Sequence, residues 1–183
     1  MIRTYPGNKL ERFLLRARFI SFFGQIFFKL KSRKLLSLIP ESGDINGWSR
    51  TKITNFENNH QRFSRYPLEL LTYGAAQGVI QKYIKNNQNS IFLELSLYDM
   101  RNIVNAIRIY QKLSIRTEMK WEVSTKVAAA RIDDSRLFTY LVDFRNYSYF
   151  GRIIVNGKDS KSLDTAKRFA QRISSRIEKS FSR

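Results

Sequence analysis

The chain has 183 residues, of which 33 are Lys or Arg, 15 are Asp or Glu, one is His and none is Cys. A formal charge of +18 lies far above the single digits usual for a soluble domain of this size, so self-repulsion opposes compaction and an anionic partner is expected. The lack of cysteine excludes disulfides, thiolate catalysis and sulfur-ligated zinc, and an apolar content of 43% with 14% aromatics excludes wholesale disorder.

The charge is concentrated at the ends. Residues 1–34 hold nine Lys or Arg and one acid, Glu11, and residues 161–183 hold seven basic and two acidic residues, so the 126 residues between supply only +5. A helix is predicted from Asn8 to about residue 30, capped by Asn8 and with Glu11 in its first turn, where the helix dipole favours a negative charge. Its stretch from Phe19 to Leu30 is apolar over twelve residues, short of the roughly twenty a membrane span needs. The stretch continues into Lys29, Lys31, Arg33 and Lys34 rather than a small-residue cleavage site, so no secretory signal is expected. Pro40, Gly43 and Gly47 among Ser, Asp and Asn residues make residues 40–59 read as a linker. The expected organisation is a basic, Phe-rich helical arm over residues 1–39, a linker over 40–59 and a globular domain over 60–183.

Within that domain a helix is predicted over residues 67–84, starting at Pro67, which suits a first helical turn. Its Gly74 and Gly78, four apart, form a strip for close contact with another helix. Residues 91–97 alternate as a strand does. Residues 99–113 form an amphipathic helix with Met100, Ile103, Val104, Ile107 and Tyr110 on one face and Arg101, Asn105, Arg108 and Lys112 on the other. Strands follow over residues 120–130, 137–144 and 149–155, with turns at 133–135 and 145–147. The last helix, residues 163–181, has an apolar stripe of Leu163, Ala166, Phe169, Ala170, Ile173 and Ile177. The predicted fold is α+β: a small antiparallel sheet covered on one face by helices, with a basic helical N-terminal arm.

Candidate contacts to a polyanion come from these faces. Arg168, Arg172 and Arg176 are like charges four apart, which weakens a helix unless an anion neutralises them, and with Lys179 they form a ridge suited to phosphates. Arg101, Arg108 and Lys112 make a second basic face. Arg12, Arg16, Arg18, Lys31, Arg33 and Lys34 lie on the arm. Arg145 and Arg152 flank the cluster Tyr147, Tyr149 and Phe150, whose rings would stack on unpaired bases if exposed and fill the core if alternate.

Catalysis draws no support. His60 stands in a polar stretch without a carboxylate at helical spacing, and no phosphate-binding glycine loop or nucleophile elbow is present. Asp99 with Glu118 and Lys120 is a nuclease-like set of two carboxylates and a lysine, although Asp99 also reads as a helix cap. The expectation is no enzyme activity, no cofactor and no metal.

The segment Ser162-Leu163-Asp164-Thr165-Ala166-Lys167-Arg168-Phe169-Ala170 carries the alanine spacing of the second helix of double-stranded-RNA-binding domains. There Leu163 and Asp164 stand in place of that family's paired, phosphate-contacting lysines. The last 80 or so residues, read as helix, three strands, helix, resemble that family in outline, and phage-integrase arm-binding domains share the three-strand-plus-helix part. The resemblance implies RNA binding. The function expected is a non-enzymatic, RNA-binding structural protein of a ribonucleoprotein particle, such as an organelle ribosome component, held mainly through the phosphate backbone. Its partners would be RNA or another polyanion, and neighbouring proteins through Phe19 to Leu30. One alternative is a viral matrix-type protein between an anionic membrane surface and a nucleocapsid. The other is a plasmid or phage DNA-binding protein. All three place the chain inside a cell, an organelle matrix or a viral particle.

Overall fold

The computed structural model describes residues 34–56, 68–86, 88–115, 118–121 and 127–182. The chain divides into two compact units, Met1–Lys34 and Leu35–Arg183, and the fold described is that of the second. Arm positions Arg12, Arg16, Arg18, Lys31 and Arg33, the Phe19 to Leu30 stretch and His60 lie outside the described residues.

Residues 34–38 are helical (α1). Then come β1 (Trp48–Phe56), α2 (Leu68–Thr72), β2 (Gln77–Lys85), β3 (Gln88–Asp99), α3 (Ile103–Lys112), β4 (Met119–Lys120), β5 (Ala129–Asp133), β6 (Thr139–Asn146), β7 (Tyr149–Asn156) and α4 (Ser160–Phe181). Among the described residues the strands form one antiparallel sheet in the order β1-β2-β3-β7-β6-β5-β4. An α+β fold on an antiparallel sheet is thus as expected.

The pleat sorts side chains onto two faces. Val79 and Tyr83 of β2, Leu93, Leu95 and Leu97 of β3, Val142 and Phe144 of β6, and Ile153 and Val155 of β7 share one core with Ala166, Phe169, Ala170, Ile173 and Ile177 of α4. Phe169 meets Tyr83 edge-on at 4.7 Å between ring centroids and Trp48 at 6.1 Å. On the opposite face, Tyr98 and Phe150 pack with Met100, Ala106 and Ile109, together with Leu70 and Ala75. Both long helices are capped as their sequences allow. The Asp159 carboxylate accepts from the Ser162 N–H at 2.7 Å, and the Asn102 side chain accepts from the Asn105 N–H at 2.8 Å.

Four expectations are corrected. The helices do not share one face of the sheet: α3 and α4 cover opposite faces, because β3 and β7 carry large apolar side chains on both sides of their pleat and each side needs a cover. The stretch read as a linker carries β1, an edge strand hydrogen-bonded to β2, and Leu35, Leu38 and Ile39 of the supposed arm lie in the core. The helix expected over residues 67–84 is only α2. Gly74 at φ +87° ends it, with its N–H on the Leu71 carbonyl and that of Ala75 on the Leu70 carbonyl, both at 2.9 Å. A Cβ at Gly74 would also lie 2.7 Å from Asn105 Nδ2. Beyond it Val79, Gln81 and Tyr83 are buried while Lys82 is exposed, and that period of two wins as β2. Finally, α3 lies on the sheet through Ala106 and Ile109, which turns Ile103 and Val104 outward to 51% and 50% exposure.

Candidate functional site

The sheet face under α3 holds a charged row. Arg131 of β5, Asp143 of β6, Arg152 of β7 and Ser96 of β3 are direct cross-strand neighbours in succession. Their positions follow from the period of two: Ala130 and Ile132, Val142 and Phe144, and Ile153 point into the α4 core, so the residues between them point the other way. Arg131 is 3% exposed and Asp143 1%. Buried charge is tolerated only when paired and hydrogen-bonded, and both are. Arg131 Nη2 donates to Asp143 Oδ2 at 2.8 Å, Nε lies 3.0 Å from Glu118 Oε2, and Nη1 donates to the Tyr110 carbonyl. Arg152 donates from Nε to Asp143 Oδ1 at 2.7 Å and from Nη2 to Oδ2 at 2.9 Å. Burial opposes the Arg152 cation, yet its bonds to Asp143 hold its pKa above the ordinary value. The Arg131 guanidinium also stands 4.2 Å from the Tyr110 ring centroid, and burial pushes the Tyr110 hydroxyl up to about 12.

This row floors a cleft of about 210 Å³. Leu113, Ile115 and Leu141 supply its apolar walls, and Glu118, Asp133 and Arg136 join the floor residues as its polar lining. Each acid there has a partner inside the protein. Glu118 takes the Ser114 hydroxyl at 2.5 Å and the Ile115 N–H at 3.1 Å besides Arg131. Asp133 takes the Ser135 N–H at 2.9 Å and hydroxyl at 2.6 Å. Burial works to raise the Asp133 pKa, but the two Ser135 bonds and the charges of Arg136 and Lys158 outweigh it and leave it lowered. Arg136 is half-exposed, and its Nε is 3.7 Å from Asp133 Oδ2, beyond hydrogen-bond length. Arg152 spends Nε and Nη2 on Asp143, and Nη1 takes no part in that pair.

The predicted basic residues do not form one surface. Arg145 and Arg152 lie on the α3 face, Arg145 half-buried with its guanidinium 5.9 Å from the Tyr110 ring. Arg168, Arg172, Arg176 and Lys179 are on α4, across the sheet. Arg101, at φ +68°, Arg108 and Lys112 are exposed at or on α3, and Lys34 is exposed at α1. On α4 two of the row are tied down: Arg172 meets Asp44 Oδ1 at 3.0 Å, and Arg176 meets Asp44 Oδ2 and the Ile39 carbonyl, each at 2.5 Å, while Arg168 and Lys179 are exposed. Two of the three rings of the cluster fill the interior, and Tyr147 stays 40% exposed. Tyr149 and Phe150 are buried, and Tyr147 stacks on Phe181 at 4.4 Å. Of the nuclease-like set, Asp99 accepts from the Arg101 N–H and Glu118 holds Arg131.

Asp44 clamps the loop before β1 onto α4. Burial raises its pKa, but the Glu41 N–H, Arg172 and Arg176 outweigh that and leave it below its ordinary 3.8. A carboxylate depressed by folding stabilises above its unfolded pKa and loses that contribution as pH falls through the folded value. Asp44→Asn is therefore expected to cost about 1–2 kcal/mol at pH 7, more than a fully exposed pair because two arginines converge on it. The deficit against wild type should shrink below about pH 4. Unfolding midpoints from pH 7 to pH 2 check this, and a variant whose deficit stays constant with pH would refute the clamp.

Arg131 escaped the sequence reading, as did the pairing of Asp143 with Arg131 and Arg152 and the cleft they floor. The available signal was an isolated charge inside each apolar strand, Ala130-Arg131-Ile132 and Val142-Asp143-Phe144.

No protein-family model matches the chain, and no curated protein matches it, so the resemblance to double-stranded-RNA-binding domains gains no support there. Among solved structures the fold is similar to that of the extracellular domain of PknH from Mycobacterium tuberculosis. The TM-score is 0.56 at 9% identity, over 80% of this chain and 96% of that one. A fold shared with an extracellular domain overturns the expected ribonucleoprotein role, its viral-matrix and DNA-binding alternatives, and the intracellular, organelle or viral placement; of the expected ridge, Arg172 and Arg176 are paired with Asp44.

Proposed function

We propose that the chain is a non-enzymatic, extracellular binding domain that takes a small anionic ligand in the cleft between the end of α3 and strands β5 to β7. The observation that carries this is the inequality of its charges. Glu118, Asp133 and Asp143 are engaged inside the protein, whereas Arg136 lines the cleft half-exposed and makes no hydrogen bond at 3.7 Å from Asp133. Guanidinium groups suit planar anions because their donors match two oxygens at once. The net charge of +18 draws such ligands in. The likeness to an extracellular domain supports the placement, and the donors support the ligand class.

Calorimetric titration of the full chain with benzoate and with inorganic phosphate tests the proposal. A single saturable site is expected, weakened at least tenfold by Arg136→Gln, with the unfolding midpoint little changed because Arg136 is half-exposed. If neither anion binds, or if Arg136→Gln binds as tightly as wild type, the proposal fails.

A further inference from the structure

We infer that the ligand of this cleft is a carboxylic acid with an apolar body of about ten non-hydrogen atoms in all, a reading that rests on the anion site just proposed. The argument begins with what the cleft offers once its internal pairs are made. Arg136 and Arg152 both line the cleft, and Arg136, half-exposed and beyond hydrogen-bond length from Asp133, supplies the guanidinium for a carboxylate head. The three acids close by, Glu118, Asp133 and Asp143, disfavour a second negative charge, so a monoanion is preferred to a phosphate dianion. The rest of the wall is apolar. Leu141 is 5% exposed, Leu113 is half-buried, and Ile115 stands at the mouth 40% exposed, a large aliphatic side chain left to water beside other aliphatic groups. An apolar ligand body laid along these three would cover Ile115 and displace water held only by carbon, which favours binding.

Size follows from volume. A space of 210 Å³ equals about seven waters at roughly 30 Å³ each, or on the order of ten carbon and oxygen atoms at interior packing density. Acetate would leave most of it unfilled. Octanoate fits the estimate, and dodecanoate exceeds it.

The test is a series of acetate, butyrate, hexanoate, octanoate and dodecanoate, with inorganic phosphate alongside, titrated into the full chain below the concentrations at which the longer acids form micelles. Affinity should rise about fourfold per methylene up to roughly eight carbons and then level off. Inorganic phosphate should bind more weakly than hexanoate. Ile115→Ser, at an exposed position, should reduce the gain per methylene and so weaken octanoate by a larger factor than acetate. Arg136→Gln should weaken every acid by a similar factor. If all acids bind alike and Arg136→Gln weakens them all, the anion site stands and the apolar body is refuted. If phosphate binds at an Arg136-dependent site and no acid does, the anion site stands and this inference is refuted; if neither phosphate nor any acid binds, the anion site falls and takes this inference with it. Binding of several octanoates per chain, insensitive to both variants, would mark adsorption to the basic surface and refute the inference as well.

Discussion

Asp143→Asn is expected to destabilise the protein by roughly 3–5 kcal/mol, the cost of removing one partner from a buried ion pair. Asparagine keeps the shape of the side chain, so no cavity opens and the whole effect is electrostatic. Asp143 is 1% exposed and takes two donors from Arg152 and two from Arg131. Without its charge, Arg152 loses the carboxylate it holds in this row, and Arg131, 3% exposed, keeps Glu118 at the cleft edge and the Tyr110 carbonyl. Urea unfolding monitored by the intrinsic fluorescence of Trp48 and Trp121 measures the loss. The loss should change little between 0.05 and 0.5 M salt, since counterions do not reach a buried pair. Replacing the set together, as Arg131→Met, Asp143→Leu and Arg152→Met, should recover most of the stability of wild type, because it removes the desolvation cost along with the attraction. A loss below about 1 kcal/mol for Asp143→Asn would mean that water reaches the row and that its charges are not what shapes the cleft floor.

The contrast between Asp143 and the α4 arginines explains what was legible from the sequence. The α4 stripe of Ala166, Phe169, Ala170, Ile173 and Ile177 was legible because a helix records its buried face in a local period, and each of these residues is fully buried. The meander of β5, β6 and β7 was legible in part for the same reason, with the period of two and the turn residues. What the local period does not carry is the partner across the fold. Arg172 and Arg176 read as a ridge of free like charges because their counterion, Asp44, is 128 residues away from the first and 132 from the second. The buried row was hidden similarly: Arg131, Asp143 and Arg152 become neighbours only through strand register. The amphipathic reading of α3 missed its orientation because Ile103 and Val104 are as apolar as Ala106 and Ile109, and composition alone does not say which pair meets the sheet. In the segment read as a linker, glycines and a proline outweighed Trp48, whose burial ties the start of β1 to the core. Long-range pairing therefore decides both the site and the fate of Arg131, Arg152, Arg172 and Arg176.

The second large effect is expected at Gly151, where the sequence shows only a glycine inside a strand. Gly151 on β7 is the cross-strand partner of Phe144 on β6, and both lie on the α4 side. A Cβ at Gly151 would stand 2.1 Å from Phe144 Cζ and 2.3 Å from Cε1. The ring thus lies flat over the glycine, filling the space a side chain would take, as aromatic residues do opposite strand glycines. Phe144 is fully buried beneath α4, so it has no free volume to swing into. Gly151→Ala should accordingly cost on the order of 3 kcal/mol, the upper end of the range for overpacking. Phe144→Leu alone should cost on the order of 1–2 kcal/mol through lost contacts. In the double variant the shorter leucine vacates the space over residue 151, so the combined cost should fall short of the sum by about 1–2 kcal/mol, a coupling typical of residues in direct contact. Denaturant unfolding of the four proteins in the cycle gives this number. Additive costs would show that the alanine methyl is accommodated by backbone movement between β6 and β7. Since Asp143 and Arg152 lie next to Phe144 and Gly151 on those same strands, such a movement would also disturb the cleft floor. The cycle is therefore best repeated with the acid titration: coupling without loss of binding places the strain on the α4 side alone, as the pleat requires.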